Sequence, residues 1–166
     1  ICCKGVTQLF QFLEHLKSTV DLRIAYASSS ESAFVRSLLS KIFDQCDLYS
    51  YVYNPDTFFY CKDGHYASTC WEQGMKKKPV SDVYDVTLRG LNLQSHQCIA
   101  FEDSLSGFQS ARSADIRVVL IPSETENDHF DTFEFDVIHD AYVKLHSLLE
   151  FYWLLQAFYE DDIPKV

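Results

Sequence analysis

The chain has 166 residues, 47% hydrophobic and 15% aromatic, which is ample material for the core of one domain and rules out a disordered segment. Its 24 acidic residues outnumber 14 basic ones, and the net charge of −10 argues against nonspecific nucleic-acid binding or an anionic membrane surface, both of which need clustered Lys and Arg. Only Lys76-Lys77-Lys78 is locally basic, and the longest apolar stretch, Phe151 to Tyr159, is too short to span a bilayer.

Six cysteines, at positions 2, 3, 46, 61, 70 and 98, lack the dense spacing of a small disulfide scaffold and read as reduced thiols of a cytoplasmic protein. No charged segment followed by an apolar one marks a signal peptide, and a start at Ile1 without methionine leaves a processed or truncated N-terminus open.

Along the chain, Val6, Leu9, Phe10, Leu13 and Leu16 recur at helical spacing, and Leu22 to Ala27 reads as a buried strand running out into Ser28-Ser29-Ser30. Phe34, Val35, Leu38, Leu39, Ile42 and Phe43 mark an amphipathic helix, with a strand expected at Leu48 to Tyr53. Residues 54–77 show no period and contain Pro55, Gly64 and Gly74, which predicts a long loop or insertion. A helix from about Ser81 to Leu88, closed by Gly90, leads to an apolar strand at Cys98 to Phe101 that ends abruptly in Glu102 and Asp103. Ser104 is the expected N-cap of the next helix, and Arg117 to Ile121 is a further strand stopped by Pro122. A polar loop from Ser123 to Asp131, a short strand candidate at Phe135 to Ile138 and an aromatic helix over about 140–159 complete the chain. Alternating strands and helices predict one α/β domain over 1–166, built on a doubly wound parallel sheet, and there are no internal repeats.

Chemistry-bearing residues gather where strands end, which is where open α/β sheets hold their ligands. The Ser28 hydroxyl and the N–H groups of Ser29 and Ser30 suit a phosphate at a helix N-terminus, although three successive serines suit plain N-capping as well. Glu102 and Asp103 suit a small hard cation such as magnesium, or else form an acidic strand end that helps cap the following helix. In the lysine run, Lys78 precedes Pro79 and is biased away from helical geometry, while surface solvation of all three lysines is the ordinary alternative. Cys61, His65 and Cys70 form a superficially metal-like set with irregular spacing and no Cys-x-x-Cys, a weak case for zinc. No Gly-x-Ser-x-Gly elbow, Walker loop or dinucleotide fingerprint occurs.

Two stretches, Lys78-Pro79-x-x-Asp82-x-Tyr84 and Phe101-Glu102-Asp103-Ser104-x-x-Gly107, together resemble the haloacid dehalogenase-like phosphohydrolases, in the branch of phosphoglycolate phosphatase and β-phosphoglucomutase, and the resemblance covers most of Gly5 to Pro122. It implies a Rossmann-type core and magnesium-dependent hydrolysis of a small phosphorylated metabolite through an aspartyl-phosphate. Within that scheme Ser28 corresponds to the second-motif hydroxyl, Lys78 to the third-motif lysine, and Glu102 and Asp103 to magnesium ligands; Ser29 adds a backbone contact to phosphate. The family's nucleophile is the first aspartate of an Asp-x-Asp motif on a central first strand. No such strand precedes Gly5, and the cap that follows it in this branch is missing too.

The sheet is therefore expected to be incomplete between the strand ending at Ala27 and the one ending at Phe101, magnesium binding weak and turnover by the isolated chain slight. Such a sheet calls for a homodimer, a partner protein or the aromatic tail Phe151-Tyr152-Trp153-Leu154-Leu155, with Phe158 and Tyr159, to cover it; an ordinary packed terminal helix explains that tail equally. The competing functional reading is a noncatalytic remnant or protein-interaction domain, and a third is a structural zinc module.

Overall fold

The computed structural model describes residues 5–42, 58–62, 65–69, 74–123 and 142–158; the strands expected at 48–53 and 135–138, and Cys70, lie outside them. Helix α1, Val6–Leu16, turns Leu9 and Phe12 inward, the three-residue step of one helical face. Strand β1, Ile24–Ser28, follows as expected and leads through the serine turn into α2, Ser32–Ile42, which buries Val35.

The stretch 54–77 is not loop throughout. It contains strands β2, Phe58–Lys62, and β3, His65–Thr69, and β3 pairs in parallel with β1, Ile24 opposite His65 and Ser28 opposite Thr69. The strand escapes apolar-pattern reading because its buried residues are small or polar: Ala67, Ser68 and Thr69 have no exposed surface. Their neighbour is a hydroxyl on the helix above, since Thr87 Oγ1 lies 2.6 Å from Ser68 Oγ and 2.7 Å from the Val83 carbonyl.

Helix α3, Asp82–Leu91, runs past Gly90 and closes instead at Asn92 in the left-handed region, φ 53°. Asparagine tolerates that conformation, so the helix gains a last turn that buries Leu91. A short 3₁₀ turn, Ser95–Gln97, leads to β4, Ile99–Glu102, and Ser104 caps α4, Leu105–Ser113, by accepting the Gly107 N–H at 3.2 Å. Strand β5, Arg117–Leu120, lies parallel to β4. The helix expected over 140–159 is divided: among the described residues Tyr142–Lys144 is strand β6, parallel to β5, and Leu148–Phe158 is helical, as α5. Tyr142 favours the strand by setting its ring edge-on against Phe108 at 5.4 Å.

Among the described residues the strands form two three-stranded sheets, ordered β1-β3-β2 and β4-β5-β6, with β2 alone antiparallel. Helix α3 underlies both. Its Val83 and Tyr84 share a core with Ala100, Phe108, Ala111, Val118 and Leu120, against which Ala27 of β1 packs, while Val86 and Leu91 receive Ala25. Strands β1 and β4 thus lie over one helix without being hydrogen-bonded to each other, and the break falls where the central first strand was expected to be missing.

Residues alternate along β4, Ala100 and Glu102 turning into the core while Ile99 and Phe101 stay 56% and 39% exposed on the other face. On that face Phe151 of α5 meets Phe101 edge-on at 4.8 Å, and Tyr152 meets Phe12 of α1 at 6.1 Å. The aromatic helix therefore packs on α1 and partly covers β4, leaving Trp153 and Leu154 exposed.

Replacing Thr87 by valine keeps the volume but leaves the buried Ser68 hydroxyl without this partner. Urea unfolding should show a loss of about 1–3 kcal/mol, whereas Thr87→Ser should lose clearly less.

Candidate functional site

The turn after β1 is organised by its serines. Ser28 Oγ accepts the Ser30 N–H at 3.1 Å, and Ser29 Oγ accepts the backbone N–H of Lys78 at 3.1 Å, which fastens the segment before α3 to the end of β1. From there the Lys78 side chain crosses to the end of β4, where Nζ lies 2.5 Å from Glu102 Oε1, with only 14% and 6% of the two side chains exposed. Ser29, Lys78 and Glu102 are thus linked by a continuous run of contacts, with Ser28 beside Ser29 in the same turn, and Asp103 follows Glu102 with its side chain exposed. Lys76 and Lys77 are exposed, so among the three lysines burial distinguishes Lys78.

Glu102 is held from three sides. The Tyr84 hydroxyl, on the first turn of α3, donates to the same Oε1 that Lys78 engages. The Lys78 ammonium also stands 5.2 Å from the centre of the Tyr84 ring, within cation–π range. On the far side α4 comes so close that a Cβ at position 107 would collide with the Glu102 carboxylate, which is why glycine stands there. The β4 end is further fixed by its backbone, the Glu102 carbonyl accepting the Ile121 N–H at 2.8 Å and the Asp103 carbonyl that of Ser123 at 3.1 Å.

Burial, followed by the charges and hydrogen bond of Glu102 and by the charge of Asp103, raises the Tyr84 hydroxyl far above the ordinary tyrosine range. Tyr84 was not legible as a site residue, although it sits inside the Lys-Pro-x-x-Asp-x-Tyr stretch that singled out Lys78. Gly107, the last residue of the second stretch, packs α4 directly against the Glu102 carboxylate. The zinc-like set cannot be assembled, since Cys70 lies outside the described residues, and among those residues no group of three or more His, Cys, Asp or Glu could hold a metal.

Residues 66–121 of this largely parallel α/β layer match the model of the haloacid dehalogenase-like hydrolases. The chain is 49% identical to CbbY of Rhodobacter capsulatus over 63 residues, 37% of this chain and 28% of the relative. To CbbY of Cereibacter sphaeroides it is 38% identical over 74 residues, 44% of this chain and 31% of the relative. Among solved structures, CbbY of Rhodobacter sphaeroides, determined in complex with xylulose-1,5-bisphosphate and with phosphate, superposes with a TM-score of 0.60 at 22% identity, covering 89% of this chain and 55% of the other. The β-phosphoglucomutase of Clostridium difficile gives 0.59 at 17% identity, covering 95% and 56%. The chain shares the fold of these solved structures and is similar in sequence to the CbbY proteins over part of its length, and it spans about half the length of the solved structures and less than a third of the curated relatives.

Gly107→Ala should push the Glu102 carboxylate off Lys78 and Tyr84, lowering stability by about 1–3 kcal/mol in urea unfolding. Because the folded state holds the Tyr84 proton more tightly than the unfolded one, that contribution is complete below the ordinary tyrosine value near 10 and is lost as pH rises past it. Melting temperature should accordingly fall less steeply above about pH 10 in Tyr84→Phe than in the parent chain.

Proposed function

We propose that this chain carries the phosphate-handling side of a magnesium-dependent phosphohydrolase acting on a small phosphorylated sugar, and that alone it turns over little or nothing. The observation that carries this reading is the convergence of Ser28, Ser29, Lys78, Glu102 and Asp103 at the ends of β1 and β4. Phosphoryl transfer asks a protein chiefly to position groups and neutralise nonbridging oxygens. Ser28, whose oxygen accepts from Ser30, keeps its hydroxyl proton to donate to a phosphate oxygen, and the Lys78 ammonium supplies positive charge. The sugar class is taken from the CbbY structure bound to a ketose bisphosphate.

The donors at the end of β4 are hard carboxylate oxygens, which suits magnesium: Asp103 would hold it, with Glu102 contributing beside or through water, and the ion would neutralise phosphoryl charge. The charge balance makes such an ion necessary. Lys78 is matched by Glu102, and the neighbouring Asp103 adds a second carboxylate, so a phosphate anion gains little from this cluster alone. The 166 residues contain no Asp-x-Asp, which leaves the attacking carboxylate of the family scheme without a counterpart here.

Exposed apolar side chains on the β4 face and on α5, among them Ile99, Phe101, Trp153 and Leu154, favour the second reading, a noncatalytic interaction domain. One titration separates the two. Inorganic phosphate added to the purified chain and followed by calorimetry should bind only when magnesium is present, and Lys78→Ala should weaken it at least about tenfold. The same preparation should release no phosphate from sugar phosphates above the uncatalysed rate. Magnesium-independent binding that Lys78→Ala leaves intact would remove the phosphohydrolase reading, and rapid turnover would show that another carboxylate replaces the missing aspartate.

A further inference from the structure

Tyr84 is 7% exposed and lies among Val83, Phe108 and Leu120, a setting in which phenylalanine would pack equally well. A hydroxyl there has to be desolvated, and it is retained against that cost only with a partner. Its partner is the single oxygen, Glu102 Oε1, that Lys78 also engages. The ring beneath that hydroxyl is the one over which the Lys78 ammonium stands at 5.2 Å, so one side chain touches both members of the ion pair. Gly107 closes one side of the carboxylate, and of the two groups that hold Oε1 the Tyr84 hydroxyl is the one carried on a helix while the Lys78 ammonium ends a long flexible side chain.

We propose that Tyr84 is a positioning residue, whose hydroxyl orients the Glu102 carboxylate and thereby holds the Lys78 ammonium where it can meet a phosphoryl oxygen. The inference rests on the reading of Lys78 as a phosphate-binding group. Tyr84→Phe isolates the effect, because the ring, its packing and its contact with the ammonium remain and only the donor to Oε1 is lost. Freed from that donor, the carboxylate rotates about its last bond, and the ammonium it carries loses its fixed place.

The test uses the full chain and two probes. Nitrogen NMR of lysine ammonium groups, assigned by Lys78→Arg, should show a slowly exchanging Lys78 signal in the parent that broadens or vanishes in Tyr84→Phe while the backbone spectrum stays that of the folded protein. Inorganic phosphate with magnesium should bind roughly three- to tenfold more weakly to Tyr84→Phe. Glu102→Gln, which keeps the shape and removes the charge, should weaken binding too, and the double variant should lose much less than the product of the two single losses, because both act on one group. An unchanged Lys78 signal and unchanged affinity in Tyr84→Phe would overturn the proposal, as would full multiplicativity of the two substitutions. If Tyr84→Phe releases the Lys78 signal while Lys78→Ala leaves phosphate affinity untouched, the positioning stands and the phosphate reading of Lys78 falls.

Discussion

The ion pair between Lys78 and Glu102 is the constraint on which the rest of this structure turns. Both charges are largely withdrawn from water, which is costly, and their mutual attraction offsets that cost only when geometry is close and further hydrogen bonds serve the remaining polar sites. The chain meets those terms through two neighbours. Tyr84 donates a second hydrogen bond to Glu102 Oε1, and Gly107 lets the N-terminal turn of α4 come up against the carboxylate without a side chain between them. Removing either partner of such a pair leaves the other as a buried, uncompensated charge, so the pair fixes both segments that carry it.

Those segments belong to different sheets. Lys78 is tied by its own N–H to Ser29 at the end of β1, whereas Glu102 ends β4, and the two strands are not hydrogen-bonded to each other. What a continuous backbone ladder does in an ordinary parallel sheet is done here by α3 underneath and by this ion pair at the strand ends. On the opposite face the join is looser. Helices α1 and α5 pack together where Gly5, at φ 91°, lets the start of α1 meet the backbone of Leu148 and Leu149, and Phe151 reaches Phe101. Ile99 stays exposed beyond that contact.

The sequence was most informative where a residue type has one physical use. The apolar run ending in Glu102 and Asp103, the cap at Ser104 and the helix at α1 all follow from periodicity and capping, and the structure has each of them. Strand β3 escapes a local pattern because its buried side chains are alanine and hydroxyls, the Ser68 hydroxyl meeting Thr87 on a helix that begins more than ten residues later. The end of α3 was misplaced because glycine inside a helix looks like a stop, whereas Asn92 supplied the left-handed residue. Strand β6 was taken for helix because three residues are too few to show a period against the helical run that follows. In the site, Lys78 and Glu102 were readable from the motifs, but their mutual contact was not, since it depends on a loop and a strand end meeting across 24 residues of chain.

That contact also bears on how the proposed site would operate. A lysine free in solution attracts a phosphate directly, but Lys78 already answers a carboxylate, and Asp103 adds a second negative charge that is exposed. On the proposed reading, an anion approaching the strand ends would meet an unfavourable charge until a cation joined Asp103, and the same groups would then suit dianionic oxygen. Metal and phosphate binding would, on that reading, be cooperative by sign alone, with no movement of the fold required. The pair would then have a role besides stability, with Glu102 holding the Lys78 ammonium in place before any ligand arrives.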